Sequence, residues 1–457
     1  MSLGARRLFP VILGLGPLLA GPPSPQFAAQ QAMRFHQQMQ MHMNMQMQMQ
    51  MGQARQAALN ARRRQISEQA ARMQNAPAAE EIAKPAGESW RIPVPAAGIR
   101  AEDADVVVVS DGKWLIARSR DKGADLWSAA VEGGLESGPV VVNGLVVYTT
   151  SDYRCVALEK ATGKLRYQVQ LETLRQFVMD GNNKTKVQFP IIEGQRVYLV
   201  THGKGADGEA AGKLYSLDLN SGAKQWEAPL AAGADHPPVI LGDRILVGGA
   251  PWIQAFQATD GKALWKTHLG GGRWMSPGVE VQGHYCLSLD ETILSLDLAK
   301  GEVAWREKAG ASLVGEGSRL FSIKQGTFGG PTLVALDAST GRTAWERKGV
   351  VHMPWIQEGR VYLTEEGGVR CLAAANGELV WSVPMAKPAP WPLMMFGTRL
   401  IVACPEGKIT VLRALEPGTG KEIWSAPVQA KPGFGLFAAD RAGIIFPGKD
   451  DLMVCLK

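Results

Sequence analysis

The chain has 457 residues, 46% of them apolar, with 52 Gly and 27 Pro dispersed along it, a composition that suits many short strands joined by turns. The formal net charge of +6 is local: residues 1–86 carry nine Arg or Lys against three acids, which leaves 40 charges of each sign in the rest. A body that is neutral overall gives no electrostatic footing for a nucleic-acid partner.

Taken in chain order, residues 1–29 read as a secretory signal. Arg6 and Arg7 precede the apolar stretch LFPVILGLGPLLAG, which is too short for a membrane span. Export to a periplasm or cell envelope is expected. No cysteine precedes Cys155, so attachment as a lipoprotein is not expected. Residues 30–87 read as a low-complexity segment, a basic helix and a linker. Met alternates strictly from Met39 to Met51, which in an extended chain puts every thioether on one side. This tract reads as a Gln-rich spacer; the alternative is a soft Cu(I) site joined by His36 and His42. Residues 53–75 favour a basic helix that suits peripheral contact with an anionic membrane, docking to a partner, or a solvated linker. The five cysteines are far apart, lack Cys-x-x-Cys spacing and have apolar neighbours, as buried strand thiols would.

From residue 90 onward one phrase returns: an apolar strand, a Gly, and an aromatic four residues after it. It ends at Trp127, Tyr167, Trp226, Trp265, Trp305, Trp345, Trp381 and Trp424, with separations of 40, 59, 39, 40, 40, 36 and 43 residues. The long interval carries insertions around DGNNKTK and HGKGADGEAAG. About 25 residues before its aromatic each unit has paired apolar runs split by N-G, E-G, G-D or Q-G, as in PVVVNGLVVYTT and PIIEGQRVYLV. A unit is therefore a four-stranded antiparallel sheet, and such sheets bury both faces by stacking around an axis. The Gly supplies a positive φ for a tight turn, and the aromatic lies across the gap to the next sheet. SWRIPV at Trp90 is the missing fourth strand of a last unit, so the chain ends close the ring together.

ALDASTGRTAW and its siblings resemble the pyrroloquinoline-quinone-type propeller repeat with its tryptophan-docking motif. The resemblance covers residues 88–457 and implies an all-β propeller, commonly of eight blades. Counted literally the phrases give nine units, but the one around VVVVSDGKWLIARS is degenerate, so eight blades are expected. The same repeat serves quinoprotein dehydrogenases, which hold the quinone and calcium in the central channel, and the BamB-like exported propellers, which present loops to partners. This chain has no adjacent cysteines and little sequence between repeats for a cofactor pocket. No cofactor, metal or catalytic residue is expected. The expected function is a non-catalytic scaffold for envelope proteins or an extracellular polymer; a quinone-type or small-ligand propeller is the alternative.

In a propeller the first strand of each blade lines the channel and the residues just before it sit at one mouth. Those stretches (ADHPP, GGRWMSP, VHMPW, APWPLMM) place Asp235, His236, Arg273, Trp274, Met275, His352, Met353, Trp355, Trp391 and Met394 around one opening. Aromatics and Arg are enriched in binding hot spots, whereas ordinary channel packing would use the same residues. The insertion carrying Asn183-Lys184-Thr185 is the expected partner-contact loop.

Overall fold

Apolar runs of four or five residues dominate the second and third strands of the repeat, and a computed structural model of the chain shows why. VVVVS at Val106–Ser110 and LVVYT at Leu145–Thr149 are buried at every position, because a sheet lies on each face. Outermost strands such as Thr343–Lys348 instead alternate between exposed and half-buried positions. The structure describes residue 85 and residues 88–456 apart from 94–98, 111, 172–185, 188, 205–209, 232–233, 235, 250, 273, 326–329, 351, 366, 386–392, 407–408, 429–437, 441–442 and 448–451. The chain divides into two compact units, 1–70 and 71–457, and the described residues belong to the second. The predicted signal, Met/Gln tract and basic helix therefore lie outside them.

Nine antiparallel sheets make a β-propeller, eight of them four-stranded and one six-stranded. Blades 1 to 8 follow in order over 99–130, 140–170, 186–229, 239–268, 274–308, 314–348, 355–384 and 394–428. Blade 9 combines Ala438–Asp440, Gly443–Pro447 and Leu452–Leu456 with the N-terminal strand Glu88–Pro93 as its outermost member. Nine apolar clusters hold the ring, one at each junction. Blade 8 meets blade 9 through Trp424, Ile444 and Val454, and blade 9 meets blade 1 through Trp90, Cys455 and Val107.

The count of eight is thus corrected to nine. The degenerate unit is a complete blade, in which Ile99–Glu102 pairs with Val106–Ser110. Its first turn lacks an Asn-Gly or Gly-Asp signature because Asp103 closes it, with Oδ1 accepting from the N–H groups of Asp105 and Val106. In every blade the antiparallel order puts the start of the first strand and the turn between strands two and three at one end, here called the entry end. The turn between strands three and four falls at the opposite, docking end.

Candidate functional site

At the docking end, the turn between strands three and four places its Gly in a left-handed conformation, with φ from +67° to +75° across eight blades. The preceding blade's aromatic covers it. A Cβ on Gly341 would sit 2.6 Å from Trp305 Cε3, and one on Gly163 equally close to Trp127. Tyr167 covers Gly222 in the same way. Three residues before the Gly, a carbonyl accepts the indole N–H. The pairs are Trp90 to Arg120 (2.7 Å), Trp127 to Lys160 (2.6 Å), Trp265 to Leu298 (3.0 Å), Trp305 to Ala338 (2.9 Å), Trp345 to Ala374 (3.0 Å) and Trp381 to Pro417 (2.9 Å). Trp424 is buried in the junction with blade 9.

Trp226 departs from this scheme. It packs over Gly261, yet its buried N–H finds no acceptor among the described residues. The carbonyl the spacing assigns to it, that of Ala258, accepts instead from Arg196 Nη1 at 2.8 Å and from Tyr198 Oη at 3.4 Å.

Arg196 belongs to a second set of inter-blade ties that the sequence reading overlooked. Arg319 donates to the carbonyl of Ala375 and Arg360 to that of Gly418, each on the docking-end turn of the following blade. The signal was present: Arg196, Arg244, His284, Arg319, Arg360 and Arg399 all stand directly after the first hairpin turn. A charge network reinforces the seam between blades 1 and 2, where Lys160 Nζ reaches Asp103 at 2.6 Å and Asp105 at 3.1 Å. Partial burial opposes ionisation of both Lys160 and Asp103. Their mutual attraction and hydrogen bonds outweigh it, holding Asp103 below and Lys160 above its ordinary range.

Of the residues predicted around the channel mouth, Asp235, Arg273 and Trp391 lie outside the described residues. His236 and Trp274 come together, with ring centroids 6.2 Å apart. Trp274 opens the first strand of blade 5 and is 6% exposed, in the cluster joining blades 4 and 5. It occupies the space left by Gly248, where a Cβ would lie 2.1 Å from Cη2. Trp355 opens the first strand of blade 7, half-buried, and packs into the junction with blade 8 while its indole N–H donates to Gln357 at 3.3 Å. His352 is half-buried on the connection before it, Met353 packs against the blade 6–7 cluster, and Met394 is buried in the blade 8–9 cluster. These aromatics fill gaps between blades.

Both insertions converge on blade 3. Its second strand, Arg196–Lys204, is nine residues long and outruns its neighbours. The extension pairs with Lys186–Val187 on one side and Ala210–Ala211 on the other, which makes this sheet six-stranded at the entry end. Asn183 lies outside the described residues. All five cysteines are free and buried, and burial pushes the Cys155 thiol up to about 12 and that of Cys286 to about 11. Among the described residues no group of three His, Cys, Asp or Glu side chains could hold a metal ion.

Fold and junction geometry define a nine-bladed propeller of the pyrroloquinoline-quinone-like type. The chain belongs to the family described as outer membrane protein assembly factor BamB, whose sequence model matches residues 57–236, 210–325 and 290–435. Outer membrane protein assembly factor BamB of Burkholderia pseudomallei is 30% identical over 184 residues, 32% of this chain and 48% of that protein. The chain thus spans about half the length of that relative. The BamB of Moranella endobia is 22% identical over 68% of this chain and 70% of its own length. A tetrathionate hydrolase of Acidithiobacillus ferrooxidans is 23% identical over 65% of this chain and 59% of that protein. Among solved structures, BamB from Moraxella catarrhalis superposes with a TM-score of 0.46 at 16% identity, covering 81% of this chain and 99% of that one.

Proposed function

We propose that this chain is an exported, non-catalytic scaffold of the cell envelope that binds other proteins through the entry end of its ring. The observation that carries this reading is blade 3, where two separate insertions add strands to one elongated strand at the entry end. Exposed sheet edges accept partner segments through main-chain hydrogen bonds. The packed state of Trp274 supports a scaffold over a small-ligand channel, since its ring is spent on the junction of blades 4 and 5. Family membership supports envelope residence and protein partners, as the name of the family implies. In this reading residues 1–29 direct export, and the basic residues of 53–75 give the tail peripheral membrane contact.

The test is photo-cross-linking in cells from a reactive residue placed at position 204. The expected result is discrete adducts with envelope proteins, lost when 205–209 and 172–185 are replaced by short Gly-Ser linkers. Uptake of quinone with calcium, accompanied by dye-linked alcohol oxidation, would contradict the proposal.

A further inference from the structure

The outermost strand of each blade is an open β edge on the circumference, and such edges are ordinarily guarded by charge or proline. Blades 3 to 6 follow that rule with KQWEAP, ALWKTH, VAWREK and TAWERK. Blades 7 and 8 carry less charge, and the proline of each strand guards only its entry-end limit. Leu379–Pro384 reads LVWSVP with no charged residue. Glu422–Val428 reads EIWSAPV, and its single carboxylate is held by Arg413 on the adjacent strand. The same two strands expose Leu379 (53%), Val380 (44%) and Ile423 (42%); blades 1 and 2 also expose Leu126 and Leu165, but each keeps one charge on its outer strand, Asp125 or Arg166, whereas that of blade 7 has none.

These aliphatics border one seam. Trp381 follows Val380 directly, covers Gly420 and donates to the carbonyl of Pro417, and that turn leads straight into Ile423. On the far side, the outer strand of blade 9 carries the Glu88–Arg91 ion pair, which separates this seam from blade 1. Pro384 and Pro427 lack an N–H and stand at or near the entry-end limit of each strand, so pairing is open only toward the docking end. A charged segment laid here would lose water from its own charges and meet only Glu422, already paired with Arg413, whereas an uncharged one would lose none.

Resting on the reading of this chain as a protein-binding scaffold, we propose that the outer strands of blades 7 and 8 are a docking edge. They accept an extended, uncharged, alternately apolar segment of a partner polypeptide, which adds to a blade as a fifth strand. The partner's apolar side chains cover Leu379, Val380 and Ile423, and its backbone satisfies the open edge.

The experiment uses the full chain and a short capped peptide alternating Val and Thr, read by amide hydrogen exchange. The expected result is exchange about tenfold slower in 379–383 or 423–426 when peptide is present. A peptide alternating Val and Lys should give no protection. The double variant Val380→Lys, Ile423→Lys, which places charge on both edges at exposed positions, should abolish protection and leave the unfolding midpoint unchanged. Protection of the outer strands of blades 5 and 6 to the same degree, or protection that survives the double variant, would overturn the proposal. So would protection that rises with protein concentration without peptide, since the edge would then belong to a second copy of this chain. If the peptide fails while cross-linking from position 204 succeeds, the docking edge is refuted and the scaffold reading stands.

Discussion

Trp226 and Trp305 occupy equivalent positions over Gly261 and Gly341, but only Trp305 has an acceptor for its indole N–H. Replacing each with Phe removes a similar amount of packing and separates the two energies. At Trp305 the change also deletes a 2.9 Å hydrogen bond and leaves the carbonyl of Ala338 without its indole donor. A buried acceptor left that way costs about 1–3 kcal/mol. At Trp226 no bond is lost, an unsatisfied donor is removed, and the carbonyl of Ala258 keeps Arg196. Trp305→Phe should therefore be the more destabilising by about 2 kcal/mol. With an unfolding slope of about 3 kcal/mol per molar urea, that is a difference in midpoint of roughly 0.7 M. Urea titrations monitored by far-ultraviolet circular dichroism and tryptophan fluorescence measure it, provided the two signals coincide. A further arm tests the cause. In an Arg196→Ala background the carbonyl of Ala258 becomes available to Trp226, and Trp226→Phe should then cost nearly as much as Trp305→Phe. Equal costs at both sites in the parent chain would refute the assignment of the missing bond.

Three further outcomes are expected. Gly341→Ala, which forces a Cβ into Trp305 at φ +72°, should destabilise by at least about 2 kcal/mol, whereas Gly317→Ala, at φ +59° in open space, should cost only about 1 kcal/mol; urea midpoints distinguish them. Lys160→Met should destabilise the seam between blades 1 and 2 by about 1–2 kcal/mol at neutral pH, because two carboxylates lose their shared cation. Asp103 is held below its ordinary range, so its contribution is complete above that range and fades as pH falls through its folded value; the gap between parent and variant should narrow on acidification below about pH 4. Trp274→Ala should destabilise by about 3–5 kcal/mol, as expected for an aromatic that fills an inter-blade gap; a neutral result in thermal or urea unfolding would return this residue to the pool of binding candidates.

The fold was legible because each blade repeats two local requirements, a positive-φ turn and an aromatic to cover it, at a nearly constant interval. The blade count went astray where chemistry of a different kind met the same requirement. Asp103 closes its turn through its side chain, so the Asn-Gly signature that marks the hairpin in blade 2 is missing from blade 1. The mouth residues were legible as a set but not in their state of packing. What buries Trp274 is the bare backbone of Gly248, 26 residues earlier on a neighbouring blade, and no local pattern ties the two. The arginine ties were written in the sequence at a fixed place after the hairpin turn, but their acceptors are backbone carbonyls, which carry no residue signature. Likewise, the convergence of the two insertions on Arg196–Lys204 depends on which strand each insertion pairs with, which composition does not encode.

Glu88–Pro93 is the first strand of the ring in sequence and pairs with the last, Leu452–Leu456. A chain that emerges from its N-terminus, whether from the ribosome or through a translocation pore, holds this strand unpaired until almost every other residue has followed. The entropy of closing so long a loop is met only at the final step, when eight blades already stand in an arc. During that interval the strand is a free edge able to complete the ninth sheet of another molecule. Crowding at that stage therefore favours exchanged dimers in which two rings trade their opening strands, and truncation at the C-terminus leaves every such strand without a home.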